Sequence, residues 1–249
     1  MDLTGKHVVV TGASSGIGAE VCRHVASLGA RVSLIARNES RLASVRDSLS
    51  GEGHRCFCLD LMDPGAIEPT IKGIREAQGP FDGAVYCAGV GTSYPFRMTK
   101  PDKLQSMATV NYLSYVEFAR CVSLRKMRGA ALSIVGVSSV ASERGAKGQV
   151  AYGSTKAAMN GAMRPMSHEL FDQGVRVNNV LPGWVKTEMA DAFIESHGTE
   201  LLDKEFEMIQ HIGCMLDPVD VANVVAFLLS DASRYVTGTE FDLTGGSLS

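Results

Sequence analysis

Cysteines are sparse in this chain and form no pattern that would build a site. There are six among 249 residues, Cys22, Cys56, Cys58, Cys87, Cys121 and Cys214, with no Cys-x-x-Cys pair. Disulfide frameworks belong to short secreted chains with dense cysteines. These six read as buried thiols of a cytoplasmic protein in a reducing compartment. Cys56 and Cys58 alternate in an apparent strand and share a side, but a metal site needs further ligands nearby. The six histidines are dispersed without a His-Glu-x-x-His spacing, and no metal is predicted. No apolar run approaches the roughly 18 residues of a membrane span, so no membrane partner is expected. Charge of one sign is also missing: 24 basic against 27 acidic residues leave −3, too weak a field to invite nucleic acid. The opening Met1-Asp2-Leu3-Thr4-Gly5-Lys6 lacks the apolar stretch of a secretory signal, and none is expected. There is no linker, low-complexity tract or repeat, and a single domain over 1–249 is predicted.

What is present is an ordinary globular balance, 45% hydrophobic and 20% charged, in an alternating pattern. Short β-branched or apolar runs at His7–Thr11, Arg31–Ala36, Arg55–Leu59, Asp82–Cys87, Ala131–Ser138, Val175–Leu181 and Glu240–Leu243 read as strands. Between them, helical spacing runs over Gly16–Leu28, stopped by Gly29, and from Asn38, a candidate cap. It recurs from Pro64 to Gln78, over Pro101–Met127, over Tyr152–Phe171 with Pro165 as a kink, and over Pro218–Leu229. Alternating β and α units predict an α/β fold, a doubly wound parallel sheet of about seven strands covered by helices on both faces. The least regular stretch, Thr187 to Met215, falls where such a sheet binds ligands and is predicted to be a substrate lid.

Two motifs carry chemistry. Thr11-Gly12-Ala13-Ser14-Ser15-Gly16-Ile17-Gly18 joins the first strand to the first helix. Glycines there let the backbone approach a pyrophosphate, whose charge the helix N-terminus favours. Tyr152 and Lys156 stand four apart on one helix face. An ammonium beside a phenol favours its ionised form and lowers a pKa normally about 10. Such a phenol can pass a proton in carbonyl–alcohol chemistry. Thirteen residues before Tyr152, Ser139 ends the fifth strand, with Ser138 as its rival; a hydroxyl there can hold a substrate oxygen. Asn111 lies within the long helical stretch, a position of poor propensity for asparagine.

Together these motifs resemble the short-chain dehydrogenase/reductase family in its compact single-domain branch, and are similar to its 3-oxoacyl-[acyl-carrier-protein] reductases. The resemblance runs from end to end and implies a Rossmann-like, NAD(P)-binding fold. Gly12, Ser14, Ser15, Gly16, Ile17 and Gly18 resemble the family's cofactor turn, and Asp60-Leu61 its adenine-contacting pair. Cys87-Ala88-Gly89 resembles its Asn-Ala-Gly element with cysteine for asparagine, which puts one local hydrogen bond in question. Asn111, Ser139, Tyr152 and Lys156 match the catalytic tetrad, and Pro182-Gly183, Val185 and Thr187 the nicotinamide-side loop. The resemblance implies that Tyr152 is acid or base, that Lys156 binds the nicotinamide ribose and tunes Tyr152, and that Asn111 belongs to a proton relay. The family also implies a homo-oligomer, dimer or tetramer; Met107, Val110 and Phe118 would suit its interface or face the sheet.

An acidic residue at the end of the second strand would accept hydrogen bonds from a ribose 2′-hydroxyl. This chain has Ala36-Arg37-Asn38 instead. A forked cation at Arg37 suits a 2′-phosphate, so NADP(H) is preferred over NAD(H), although Ser15 stands where many NADP-using relatives carry a second cation. Arg125, Lys126 and Arg128 either complement a helix C-terminus or dock an acidic carrier. Glu143, Arg144 and Lys147 either border a polar substrate or pair in water. The leading expectation is an NADP(H)-dependent oxidoreductase interconverting a carbonyl and a secondary alcohol by hydride transfer, with a 3-oxoacyl thioester on acyl carrier protein or CoA as substrate. A sugar, polyol, steroid-like or small ketone substrate is the alternative; the stretch Thr187–Met215 should decide, where Met189, Phe193, Leu201, Leu202, Phe206, Met208 and Ile209 form either an apolar substrate wall or only the inner face of two lid helices. A non-catalytic dinucleotide sensor is the reading from another class. An epimerising relative needs an added domain for which the chain leaves little room.

Overall fold

The computed structural model describes residues 1–198 and 215–246. Seven strands, β1 (His7–Thr11), β2 (Arg31–Ala36), β3 (Arg55–Cys58), β4 (Phe81–Tyr86), β5 (Arg128–Val137), β6 (Val175–Pro182) and β7 (Glu240–Leu243), form one sheet in the order β3-β2-β1-β4-β5-β6-β7. Every neighbouring pair is parallel. Between them lie α1 (Gly16–Ser27), α2 (Glu39–Asp47), α3 (Ile67–Gln78), α4 (Pro101–Ala108), α5 (Ser114–Ser123), α6 (Val150–Leu170), α7 (Glu188–His197) and α8 (Pro218–Leu229). The chain winds outward first one way and then the other from β1 and β4, which opens a crevice at their carboxyl ends.

The core follows from strand alternation. On β1, Val8 and Val10 point to one face, where they meet Val21 and Val25 of α1, Leu42 of α2 and Val225 of α8. Val9 points to the other, against Ile71 and Ile74 of α3, Phe118 of α5 and Met163 of α6. Each such side chain, fully withdrawn from water, contributes about 1.5–3 kcal/mol. Met107, Val110 and Phe118, weighed above as interface residues, are buried in this chain at 4%, 9% and 0% exposure. Val110 and Phe118 belong to the core on the α5 face of the sheet.

Two departures from the sequence reading have local causes. The stretch over Pro101–Met127 is three pieces: α4, a π-helical segment at Thr109–Leu113, then α5, which ends at Ser123. Strand β5 begins at Arg128, before the expected Ala131, through a register shift opposite Phe81 and Gly83. Arg128 is itself buried and donates to the carbonyls of Ser123, Gly129 and Ala130, so it braces the strand start and leaves only Arg125 and Lys126 of the basic cluster exposed. Helix α6 spans Val150–Leu170 with Pro165 inside it, as the sequence predicts. Of the described cysteines, all free, Cys22 and Cys121 are buried but Cys58 is exposed, its thiol donating to the Arg37 carbonyl; Cys214 lies outside the described residues.

A polar chain crosses the apolar interior. The Tyr115 hydroxyl donates to Asn179 Oδ1 at 3.1 Å, and Asn179 Nδ2 to Asn160 Oδ1 at 2.9 Å. Asn160 Nδ2 donates to Ser142 Oγ at 3.0 Å and to Glu240 Oε2 at 3.1 Å, and Ser142 Oγ to the Ser139 carbonyl at 2.6 Å. Glu240 is also paired with Arg164. Asn179 has room because its register partner on β5 is Gly136, where a Cβ would strike Asn179 Oδ1. Gly136→Ala is therefore expected to cost about 1–3 kcal/mol, as overpacking that also strains this chain. In urea unfolding the midpoint should fall with an unchanged slope; an unchanged midpoint would show that Asn179 yields freely.

Candidate functional site

The glycine turn sits against the end of β4. Gly12 has φ +67, and a Cβ there would lie 2.8 Å from the Ala88 backbone; one on Gly18 would strike the Gly12 carbonyl. Thr11 Oγ1 accepts from the Ala88 amide at 3.3 Å. A Cβ on Gly16 would lie 3.2 Å from the Thr187 methyl, so the start of α7 rests on the turn. Ile17 packs into the core beneath. Ser15 heads α1 without a side-chain cap bond, which leaves its hydroxyl and the first amides of a 12-residue helix to an anion. The bare backbone, the helix N-terminus and the unused hydroxyl suit the pyrophosphate of a dinucleotide.

The rest of the expected cofactor set surrounds this turn with unequal freedom. Arg37 is exposed at the end of β2. Asn38 is spent as the cap of α2, its Oδ1 accepting from the Arg41 amide. Asp60 is exposed and accepts from the Met62 amide, while Leu61 is buried and its carbonyl accepts from Ser114 Oγ. Ala88 and Gly89 follow β4. Pro182 ends β6, the Gly183 amide donates to the Leu243 carbonyl, and Val185 is buried and bridged to Leu216. Thr187 caps α7, accepting from the Ala190 amide. In the lid stretch α7 carries Met189 and Phe193; Leu201, Leu202, Phe206, Met208 and Ile209 lie outside the described residues.

The four candidate catalytic residues converge beside it. Lys156 is 4% exposed, and its Nζ donates to the Val137 carbonyl at 2.8 Å. Burial pushes this ammonium down to about 8, which the neighbouring Cys87 partly opposes. Asn111 is fully buried in the π-helical segment: Oδ1 accepts from the Val90 amide at 2.8 Å, and Nδ2 donates to the Val90 carbonyl and to Thr155 Oγ1, each at 3.0 Å. Its side chain is a clamp between α6 and the chain after β4. A π turn in this position leaves helix carbonyls outside the regular ladder. Ser139 is extended, and its Oγ accepts from the Ala141 amide at 3.2 Å. Its rival Ser138 is buried, with Oγ donating to the Lys156 carbonyl at 3.1 Å. Of the two, Ser139 faces Tyr152.

The expectation that Lys156 lowers the Tyr152 pKa is not met in the free protein. Burial raises the phenol above its ordinary value, and the neighbouring Ser139 side chain pulls it back. The reason is geometric. Lys156 Nζ lies 5.8 Å from the Tyr152 ring centroid and is turned to the Val137 carbonyl. Cys87, at the family's asparagine position, is a half-buried thiol whose pKa burial pushes up to about 12 against the opposing pull of Lys156.

The sequence reading missed Thr155, Val90 and the Val137 carbonyl as partners, and Asn160, Asn179 and Glu240 as the frame behind Ser139. The adjacent asparagines Asn178-Asn179 inside an apolar strand were the available signal. It also missed the contact of Gly91, where a Cβ would meet Met189 Sδ at 3.0 Å and Tyr152 Cε2 at 3.3 Å. Of the polar stretch before Tyr152, Glu143 and Lys147 are exposed and Arg144 is half-buried. A group of Glu68, Glu117 and Cys121 with metal-ligand proximity is taken up by Arg120, which donates to both carboxylates. Among the described residues no helix is long and apolar enough to cross a membrane.

This fold and site define a dinucleotide-binding oxidoreductase of the Rossmann-like class. A family model described as enoyl-(acyl carrier protein) reductase matches residues 12–247. The 3-oxoacyl-[acyl-carrier-protein] reductase FabG of Vibrio cholerae is 31% identical over 246 residues, covering 99% of this chain and 98% of that one. Oxidoreductase UcpA of Escherichia coli is 33% identical over 251 residues, covering 98% and 95%. A 3-oxoacyl (acyl-carrier-protein) reductase from Agrobacterium tumefaciens, solved with NADP bound, superposes with TM-score 0.90 at 27% identity, covering 98% and 95%. The chain belongs to the short-chain dehydrogenase/reductase family of oxidoreductases.

The buried lysine gives a pH signature. Its folded value of about 8 lies below its ordinary 10.5. Above that folded value the unfolded chain binds a proton the folded chain has released, so this group's contribution to stability rises with pH. Relative to Lys156→Met, the natural chain is expected to gain stability between about pH 7 and about pH 9 in urea unfolding. Parallel curves would show that Lys156 does not titrate in that window.

Proposed function

We propose that this chain is an NADP(H)-dependent enzyme interconverting a carbonyl and a secondary alcohol, within one domain spanning the chain. The observation that carries this reading is the Ser139 hydroxyl set against the Tyr152 phenol, with Lys156 buried behind them beside the glycine turn. In reduction, Tyr152 gives its proton to the carbonyl oxygen while the Ser139 hydroxyl holds that oxygen; in oxidation Tyr152 takes the proton back. Its pKa, raised in the free protein, keeps the phenol protonated and ready as an acid. Lys156 holds the ribose hydroxyls, and Asn111 fixes the helix turn through which protons are replenished. Gly12, Ser14, Gly16 and Gly18 hold the pyrophosphate, and the bound nicotinamide supplies or accepts the hydride. Arg37, at a strand end without an acidic residue, supports NADP(H) over NAD(H), as does the NADP named for the Agrobacterium structure.

For substrate, the names of the Vibrio and Agrobacterium relatives support a 3-oxoacyl thioester. A free ketone or alcohol without a carrier is the second reading. It is favoured by the burial of Arg128, which removes one of the three cations of a carrier dock. A homo-oligomer is part of the same proposal; Leu104 and Leu113, exposed on the α4 side, are apolar residues left for its interface.

The test is NADPH oxidation with acetoacetyl-CoA, NADH in parallel, and Tyr152→Phe as control. Tyr152→Phe is expected to lower turnover by about 10²–10⁴-fold while NADPH binding is retained. Undiminished turnover would overturn the assignment. Turnover of a small ketone but not the thioester would select the second reading.

A further inference from the structure

Beside the glycine turn lies a polar cleft of about 510 Å³ whose walls include Ser14, Ser15, Ser40, Ser44, Arg41 and Glu188. Arg37, the expected phosphate partner, is not on its wall. Arg23 is, but donates to Glu20 and to Ser48. Arg41, in the first turn of α2, reaches across to Glu188, the first residue of α7, with Nη1 to Oε2 at 2.8 Å. Both side chains are more than half exposed, 53% and 65%. An exposed ion pair of this kind contributes little in water, and a phosphate carrying nearly two charges competes well with one carboxylate for a forked guanidinium. Ser15 supplies a hydroxyl without a cation, and its side chain is not engaged in capping α1. The cleft thus offers an anion the hydroxyls of Ser14, Ser15 and Ser44, a helix N-terminus and one guanidinium held by an exchangeable partner, while the Ser40 hydroxyl donates to Asn38 Oδ1.

We infer that Arg41 reads the cofactor's 2′-phosphate, and that NADP(H) takes Arg41 from Glu188 on binding, so that the same exchange loosens one tie between α2 and α7. This rests on the NADP(H) reading above. It adds to it the residue that supplies the second cation and a carboxylate that competes with the phosphate.

The test is binding, not turnover. Dissociation constants for NADPH and NADH are measured by titration calorimetry for the natural chain and for Arg41→Leu, Glu188→Gln and Arg37→Leu. Arg41→Leu is expected to weaken NADPH about 10-fold, the size of one lost charge-assisted contact, with NADH unchanged within about twofold. Glu188→Gln is expected to tighten NADPH about threefold by removing the competitor, again without effect on NADH. NADH binding also reports that each variant is folded. Equal weakening of both cofactors by Arg41→Leu, or no effect on either, would overturn the inference. If the natural chain prefers NADPH and only Arg37→Leu abolishes that preference, the NADP(H) reading stands and this inference falls. If the natural chain prefers NADH, both fall.

Discussion

One buried ammonium organises the site. Lys156 is almost wholly withdrawn from water, and a buried lysine must find acceptors or lose its charge. Here the acceptor is the Val137 carbonyl at the end of β5, so the strand end and the first turns of α6 are fixed to each other by the group that also stands beside Tyr152. The Ser138 hydroxyl closes the same joint from the other side by donating to the Lys156 carbonyl. Two adjacent serines therefore divide two tasks. Ser138 secures the frame and leaves Ser139 free to face the phenol. Burial of the lysine and burial of the phenol act in opposite senses, one making a cation costly and lowering its pKa, the other making an anion costly and raising its pKa.

The surroundings are built to keep that joint still. Asn111 is clamped from three sides, to Val90 twice and to Thr155 once, and the π turn around it is the local distortion that lets a helix side chain reach those partners. Behind Ser139, the Tyr115–Asn179–Asn160 chain ends on Ser142 and Glu240, so the catalytic corner is connected through hydrogen bonds to the last strand. A buried polar chain of this kind is favourable only when each member is satisfied. Gly136 belongs to the same device: it contributes nothing by contact and is needed for the space it leaves.

The element order, the sheet and the glycine turn were legible in the sequence because each follows from a strictly local signal: β-branched runs, helix stops such as Gly29, and glycines where the backbone of Cys87 and Ala88 closes on Gly12. The convergence of Ser139, Tyr152 and Lys156 was legible through spacing and resemblance. What escaped was decided by partners far apart in the chain. Spacing placed Lys156 beside Tyr152, but whether the ammonium serves the phenol or a carbonyl depends on Val137, nineteen residues earlier. Periodicity made Met107, Val110 and Phe118 apolar without saying which side they covered. Three basic residues at 125, 126 and 128 look alike in sequence, yet the strand starts one residue after Met127 and folds Arg128 inward. Arg41 and Glu188, 147 residues apart, carry no sequence signal of meeting.

The site thus divides into a part fixed by the sheet and a part carried on connections. Val137, Ser139, Asn111 and Lys156 are held at strand ends and by hydrogen bonds to neighbouring elements, and they include the residues proposed above for proton transfer. The part carried on connections is different in kind. A Cβ on Gly91 would meet Met189 Sδ and the Tyr152 ring, and Phe96 and Met98 stand 77% and 48% exposed on the connection after β4. Loops of this sort tolerate change that the packed frame does not. A frame under many hydrogen-bond constraints can keep one reaction class across relatives about 30% identical to this chain, while the same degree of divergence, concentrated in loosely held connections, is free to alter which carbonyl reaches the phenol. Family membership therefore speaks strongly for the reaction class and leaves the choice of substrate open to the loosely held connections.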